Sequence, residues 1–514
     1  LEKNLKKNSP ILLIGLFLLI SLISCKRESE LDNLEELQWK PLLAAPVFFS
    51  HLSIQEILDK PGGNDYITTD SSNLIYLTYN SRQQSKKGED FLKLPNFSHT
   101  IMDTLLTIAL ITPQNEQLDS IHIKEGFFSY ALLPDSTEDL QLSLLLPNVT
   151  ESGMPLSLDL FLPAQPGQPS VQSDFLSLSN YAIDLSLNGS THNSIQMEYL
   201  VKRAKDGVDV TGQFPMEVSF SGVLFDYLEG DFGLPVFQLQ KDSVELAVFK
   251  NWKKGVIWFE DPRLTVDIRN SYGFPFQVQF ITLQGTTEEE VFPINSPDIQ
   301  PYFSINYPAP GMVENTQVAL DRSNSNLSNF LAIRPKSLSY ALLLSGEKDN
   351  DPSRINFMSD TSQVEIELEL VLPMHGRIDG MVLLDTFDFD LPTEDLLESI
   401  ESIEFRLETE NKLPLNASIQ IYFSGDNLNP IDSLFLPGEE ILLSGNIDAS
   451  QLVVQPSSKV TKVNYGPERS SKLKDASKVV LKATLYTLNN GKTPIKLYSD
   501  YYLDVRFGAL IQKK

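Results

Sequence analysis

Val364-Glu365-Ile366-Glu367-Leu368-Glu369-Leu370-Val371-Leu372-Pro373 alternates apolar and acidic residues over almost its whole length. A period of two places Val364, Ile366, Leu368, Leu370 and Leu372 on one face and the three glutamates on the other, which is the signature of a β-strand with one wet side. The period returns at Leu264, Val266 and Ile268, with Thr265, Asp267 and Arg269 between them. It returns again at Ile403, Phe405 and Leu407, with Glu404, Arg406 and Glu408 between them. Antiparallel sheets that bury one face and wet the other read this way.

The segments joining such runs have a common form, in which a strand ends on Asn, Pro follows within a few residues, and a new alternating run begins. Asn270-Ser271-Tyr272-Gly273-Phe274-Pro275, Asn411-Lys412-Leu413-Pro414 and Asn490-Gly491-Lys492-Thr493-Pro494 share it, and it predicts hairpins. Ser129-Tyr130-Ala131-Leu132-Leu133 recurs as Ser339-Tyr340-Ala341-Leu342-Leu343, which suggests two related β units. Helical patterns are confined to residues 53–60, where Glu56 completes a capping box with Ser53, and to 325–332 and 393–401. The expected fold is all-β, with two or more antiparallel β-sandwich units in tandem and a few short connecting helices. The expected division is a leader at 1–24, an acidic tether at 25–45, an N-terminal β segment at 46–125 and sandwich units at 126–325 and 326–514.

The chain has 514 residues, enough for several cores. Its 68 Asp and Glu against 41 Lys and Arg leave a net charge of −27, a field that repels phosphate backbones, so nucleic acid is not an expected partner. A single cysteine excludes an internal disulfide framework and any multi-cysteine metal site. The five histidines, at 51, 99, 122, 192 and 375, have no metal-ligand spacing.

That cysteine has a context of its own. Lys3, Lys6 and Lys7 precede an apolar run over residues 11–23 that stops at Ser24-Cys25, the layout of a signal peptide. The run is shorter than the about 20 residues of a membrane-spanning helix, and no later run approaches that length. Leu22-Ile23-Ser24-Cys25 resembles the bacterial lipobox, which implies cleavage before Cys25 and attachment of lipid to its thiol. Lys26 stands where inner-membrane retention signals place Asp, and the charged stretch through Glu35 and Glu36 is similar to that behind the cysteine of Bacteroidota surface lipoproteins. The resemblance implies an outer-membrane protein anchored by lipid, with its body on the periplasmic or outer face. Residues 261–280 are similar in layout to late-embryogenesis-abundant type 2 domains, small β-sandwiches, and that likeness raises lipid carriage as one alternative role.

Chemistry is sparser. Neither a Gly-x-Ser-x-Gly elbow nor a phosphate loop is present. Asp385, Asp388, Asp390 and Asp395 crowd one strand and the loop after it, so a surface glycoside hydrolase working through paired carboxylates is a second alternative. No cofactor is expected, although the acidic loops at 347–351 and Ser424-Gly425-Asp426-Asn427 have the oxygen donors calcium would take. Trp252, Trp258 and Phe259 cluster around Lys253-Lys254-Gly255, where they either stack on a sugar ring or cap a core. The leading expectation is a non-enzymatic envelope protein, anchored through Cys25, with a binding or structural role toward a protein or glycan partner.

Overall fold

The computed structural model describes residues 42–54, 66–102, 105–132, 136–167, 172–210, 214–249, 254–348, 354–389, 400–436 and 438–513. Its strands are paired antiparallel throughout, and the chain is all-β. Val364–Pro373 sits at the centre of a five-stranded sheet, between Ile75–Gln84 and Arg263–Asn270. Its five apolar residues are at most 1% exposed, and in register they meet Ile268, Val266 and Leu264 on the next strand. Each such side chain contributes about 1.5–3 kcal/mol through burial. On the wet face Glu365 lies opposite Arg269, at 3.5 Å, and takes Arg82 at 2.7 Å.

Three sandwich-like units result. In the middle one, that five-stranded sheet packs on a six-stranded sheet built on Phe276–Thr286 and Ser337–Gly346. In the terminal one, a four-stranded sheet (Leu42–Ser53, Tyr502–Lys513, Ile400–Asn411, Ser457–Tyr465) packs on a seven-stranded sheet centred on His375–Asp388, Lys478–Thr487 and Leu415–Ser424. Phe48 of the first sheet stacks on Phe387 of the second at 4.2 Å, and Phe405 meets Phe423 at 5.1 Å. In the first one, a ten-stranded sheet runs from Phe97–Ile101 to Met216–Asp231 and borrows Phe357–Ser359 from later in the chain. Its long strands Gln117–Leu132 and Leu140–Glu151 each bury alternate residues, and the three-residue strand Ala182–Asp184 pairs with both of them.

The sheets do not follow the divisions expected from sequence. Gln117–Leu132 runs without a break through 125/126, and Phe276–Thr286 pairs along its length with Ser337–Gly346 across 325/326. The segment 46–125 supplies strands to all three units, and Leu42–Ser53 pairs with Tyr502–Lys513 at the far end of the chain. Alternation specifies which face a strand buries but not its neighbour, and closing a long loop costs little more than closing a short one. The two Ser-Tyr-Ala-Leu copies lie in different units with unlike partners, one beside Met216–Asp231 and one beside Phe276–Thr286.

Two of the three Asn-to-Pro segments are corners between sheets, and none of the three joins strands that pair with each other. Arg263–Asn270 and Phe276–Thr286 belong to opposite sheets of the middle unit, as do Ile400–Asn411 and Leu415–Ser424 in the terminal one. Asn270 and Asn411 are fully buried there, with Oδ1 accepting from the amide of Tyr272 and of Leu413 respectively, both at 2.9 Å. The third segment, where Asn489 and Asn490 take positive φ of 54° and 55°, carries the chain from Lys478–Thr487 to Ile495–Lys496, two strands that both lie along His375–Asp388. A true two-residue hairpin occurs at Ser152-Gly153, both with positive φ, between Leu140–Glu151 and Met154–Leu162.

Of the expected helices, 325–332 is found as Leu327–Ala332. At the first, Ser53 closes the strand Leu42–Ser53 and Ile54 is helical; at the third, Ile400 and Glu401 open the strand Ile400–Asn411. Residues 55–60 and 393–399 lie outside the described residues.

Candidate functional site

Two free sheet edges meet beside the first unit. Among the described residues the outer side of Ile75–Gln84 is covered as far as Thr78, by Ile67–Thr69 and the Tyr66 carbonyl, and Val236–Gln238 with Asp242–Glu245 forms the edge of the facing sheet. The edges are stitched together on one side. Gln83 Nε2 donates to the carbonyl of Gln240 at 2.8 Å, and Ser81 Oγ donates to Asp242 at 2.5 Å while also lying 2.7 Å from the Tyr340 hydroxyl. Burial raises the pKa of Tyr340, so the phenol stays neutral within this link.

Beyond the stitching the seam opens into a cleft of about 880 Å³, within the range of small-molecule sites. Alternation on Val236-Phe237-Gln238-Leu239-Gln240 turns Phe237 and Leu239 inward, each 6% exposed, and leaves Gln238 and Gln240 on the cleft side. Phe237 anchors that wall through ring contacts with Phe91 at 5.4 Å and Phe276 at 5.6 Å. The opposite wall carries Gln83 and Gln84, and Gln114 lines it from the first unit, its backbone N–H donating to Glu116 Oε2 at 2.9 Å. Leu234 and Val236, 64% and 60% exposed, form an apolar rim.

Charge in the cleft is the reverse of the chain's. Arg82, Lys86 and Lys241 face a single lining carboxylate, Asp242, which already accepts from Ser81. Arg82 is held by Glu365, whereas among the described residues neither Lys86 nor Lys241 forms an ion pair. The Lys86 backbone is fixed by its carbonyl, which accepts from Tyr272 Oη at 2.7 Å and from Ser85 Oγ at 2.9 Å. Gln83 Oε1 is shielded from solvent and receives no hydrogen bond among the described residues. A buried acceptor left so costs about 1–3 kcal/mol, and with no accessible surface it is not open to a ligand in the cleft.

Of the residues singled out from sequence, those that are described lie away from this cleft. Cys25, Trp252, Asp390 and Asp395 lie outside the described residues. Trp258 and Phe259 point to opposite faces of Val256–Phe259: Phe259 is buried against Phe249, and Trp258 is half-exposed under the Arg377 guanidinium at 5.2 Å. They form no joint patch, because neighbours on a strand face opposite ways. Asp385 accepts from Ser50 at 3.4 Å and Asp388 pairs with Lys478, and neither lines the cleft. In the loop after Ser424, Asp426 accepts from Ser477 Oγ at 2.5 Å and Asn427 from the amide of Asn429 at 3.1 Å. Three histidines hold aspartates, His51 with Asp504, His192 with Asp119 and His375 with Asp261. Among the described residues no group of three or more His, Cys, Asp or Glu is placed to hold a metal ion, and no helix is long and apolar enough to cross a membrane.

No protein-family model matches the chain, and no curated protein matches it. Among solved structures it is similar to a Parabacteroides distasonis protein predicted to be secreted, at 11% identity and a TM-score of 0.30, over 92% of this chain and 99% of that one. It is also similar to infectious bursal disease virus VP2, at 8% identity and a TM-score of 0.17, over 78% of this chain and 73% of that one. A cowpea mosaic virus particle matches at 10% identity and a TM-score of 0.15, over 55% of this chain and 89% of that one.

Proposed function

We propose that the chain is a non-enzymatic binding protein of the bacterial envelope, tied to an outer membrane by lipid on Cys25, and that it takes a glycan in the cleft between the two sheet edges of the middle unit, beside the first. The observation that carries the binding role is the lining of that cleft, where five glutamines and two lysines without an ion pair among the described residues stand around an apolar rim. An amide side chain both donates and accepts, which matches the hydroxyl arrays of a sugar, and the exposed Leu234 and Val236 suit the less polar face of a ring. Lining walls that are sheet edges tied by Gln83 and Ser81 hold these groups in place before a ligand arrives.

The anchor rests on Leu22-Ile23-Ser24-Cys25. Sixteen residues separate Cys25 from Leu42, a reach of at most about 58 Å when fully extended. The terminal unit, which owns Leu42–Ser53, is therefore the one leashed nearest the membrane. Several acyl chains, at about 0.8 kcal/mol per buried methylene, make such a tie stable.

Two measurements test the reading. Cys25→Ala is expected to abolish metabolic acyl labelling and to move the protein from the detergent phase to the aqueous phase on cloud-point partition; a variant that stays labelled and membrane-bound contradicts the anchor. For the cleft, Gln84→Ala with Gln238→Ala is expected to weaken retention on immobilised polysaccharides at least tenfold without altering thermal melting. Equal retention by wild type and variant would place binding elsewhere.

A further inference from the structure

Resting on the cleft as the ligand seat, we infer that the glycan is an anionic one, whose acidic groups meet Lys86 and Lys241 while the glutamines read its hydroxyls. The chain as a whole, at −27, repels polyanions, yet the cleft presents two ammonium groups with no ion-pair partner among the described residues and one carboxylate already engaged by Ser81. An opposite-signed cleft in an acidic chain selects for a ligand that places its negative groups there and nowhere else. Lys86 and Lys241 come from the two facing walls, one following Ile75–Gln84 and the other following Val236–Gln238. A polymer lying along the seam passes between them.

The amides decide between sugar and peptide. The exposed amides of Gln84, Gln238 and Gln240 each donate and accept, whereas an acidic peptide sets carboxylates that only accept beside backbone N–H groups that only donate. A uronate or sulfated sugar offers both on one ring, hydroxyl donors next to an anionic group.

The test is affinity electrophoresis of the full-length lipoprotein in detergent micelles, through gels holding polygalacturonate, chondroitin sulfate, dextran or polyglutamate. Retardation by the two anionic glycans and not by dextran is expected, weakening at least tenfold in Lys86→Gln with Lys241→Gln and falling further as salt is raised. Lysines so exposed are replaced with little effect on folding, and Lys86→Glu with Lys241→Glu, also checked by melting, is expected to remove the retardation altogether. If dextran retards the protein as strongly and only the glutamine variants release it, the anionic specificity is overturned while the cleft stands as a glycan seat. Retardation by polyglutamate equal to that by polygalacturonate overturns the glycan in favour of charge alone. If the wild-type protein is retarded by no polymer, this inference and the proposed glycan function fall together.

Discussion

Asn411→Ala is expected to destabilise the terminal sandwich by about 3–5 kcal/mol and to strip protection from the amides of its inter-sheet corner. Asn411 is fully buried and makes three hydrogen bonds. Its Oδ1 accepts from the Leu413 amide at 2.9 Å, and its Nδ2 donates to the carbonyls of Leu415 and Leu443 at 2.8 and 2.9 Å. Truncation leaves those three backbone groups without partners, each at a desolvation cost of about 1–3 kcal/mol, and part of the sum is recovered by relaxation or an entering water. The corner carries the chain from Ile400–Asn411 to Leu415–Ser424, so its loss unlocks both sheets at once. Asn270→Ala, at the equivalent corner of the middle unit, removes an acceptor for Tyr272 and one donor bond, to the Asn306 carbonyl at 3.1 Å, and is expected to cost less, about 2–3 kcal/mol. Hydrogen exchange read peptide by peptide separates the two, since a chain of three units does not unfold as one two-state body. Native protection at Leu413 and along Leu415–Ser424 in Asn411→Ala would refute the corner's role.

These asparagines show where sequence reading succeeds and where it stops. The strands themselves are legible, because Val364–Pro373 writes its buried face in every second residue, and all five inward side chains are buried as that period requires. The partner of each strand is not. Asn-x-x-Pro is compatible with a hairpin and with a crossing between sheets, since both need an irregular residue after the strand and a fixed φ before the next. What distinguishes them is the burial of the Asn side chain, a property of Leu443 and Asn306 arriving from elsewhere in the chain. The same limit misplaces the unit boundaries, because the neighbour of Leu42–Ser53 lies at the opposite end of the sequence.

The cleft is hidden for a related reason. Gln238 and Gln240 announce a wet face by alternation, and Gln83-Gln84 continues the run of Ile75–Gln84, but nothing local says that these two faces flank one seam. Glutamine carries no reactive chemistry, so it stands out only once several converge. The aromatic residues drew attention on chemical grounds, yet strand geometry sends Phe259 into the core and leaves Trp258 outside. A test for convergence of amide side chains on facing edges, not for reactive ones in series, is the signal that would have found the site.

Phe423→Ala is expected to be the costliest single truncation in the terminal unit, at about 3–5 kcal/mol. Phe423 comes from the seven-stranded sheet and is wholly buried. Its ring lies 5.1 Å from Phe405, 6.0 Å from Tyr465 and 6.3 Å from Phe507, all on the four-stranded sheet, and 5.1 Å from Phe389 on its own side. Removing it leaves a cavity that borders both sheets, and aromatic contacts worth about 0.5–1.5 kcal/mol each beyond area burial are lost with it. Phe423→Leu keeps most of the volume and is expected to cost about 1–2 kcal/mol. The consequence reaches Leu42–Ser53, because among the described residues that strand is held in its sheet by Tyr502–Lys513 alone, and Phe507 of the latter is one of the rings Phe423 supports. Hydrogen exchange in Phe423→Ala should therefore accelerate along Leu42–Ser53 and Tyr502–Lys513 while Gln117–Leu132 in the first unit keeps its protection. Equal acceleration in all three units would mean that they unfold together, and no acceleration at Leu42–Ser53 would mean that Phe423 does not join the two sheets.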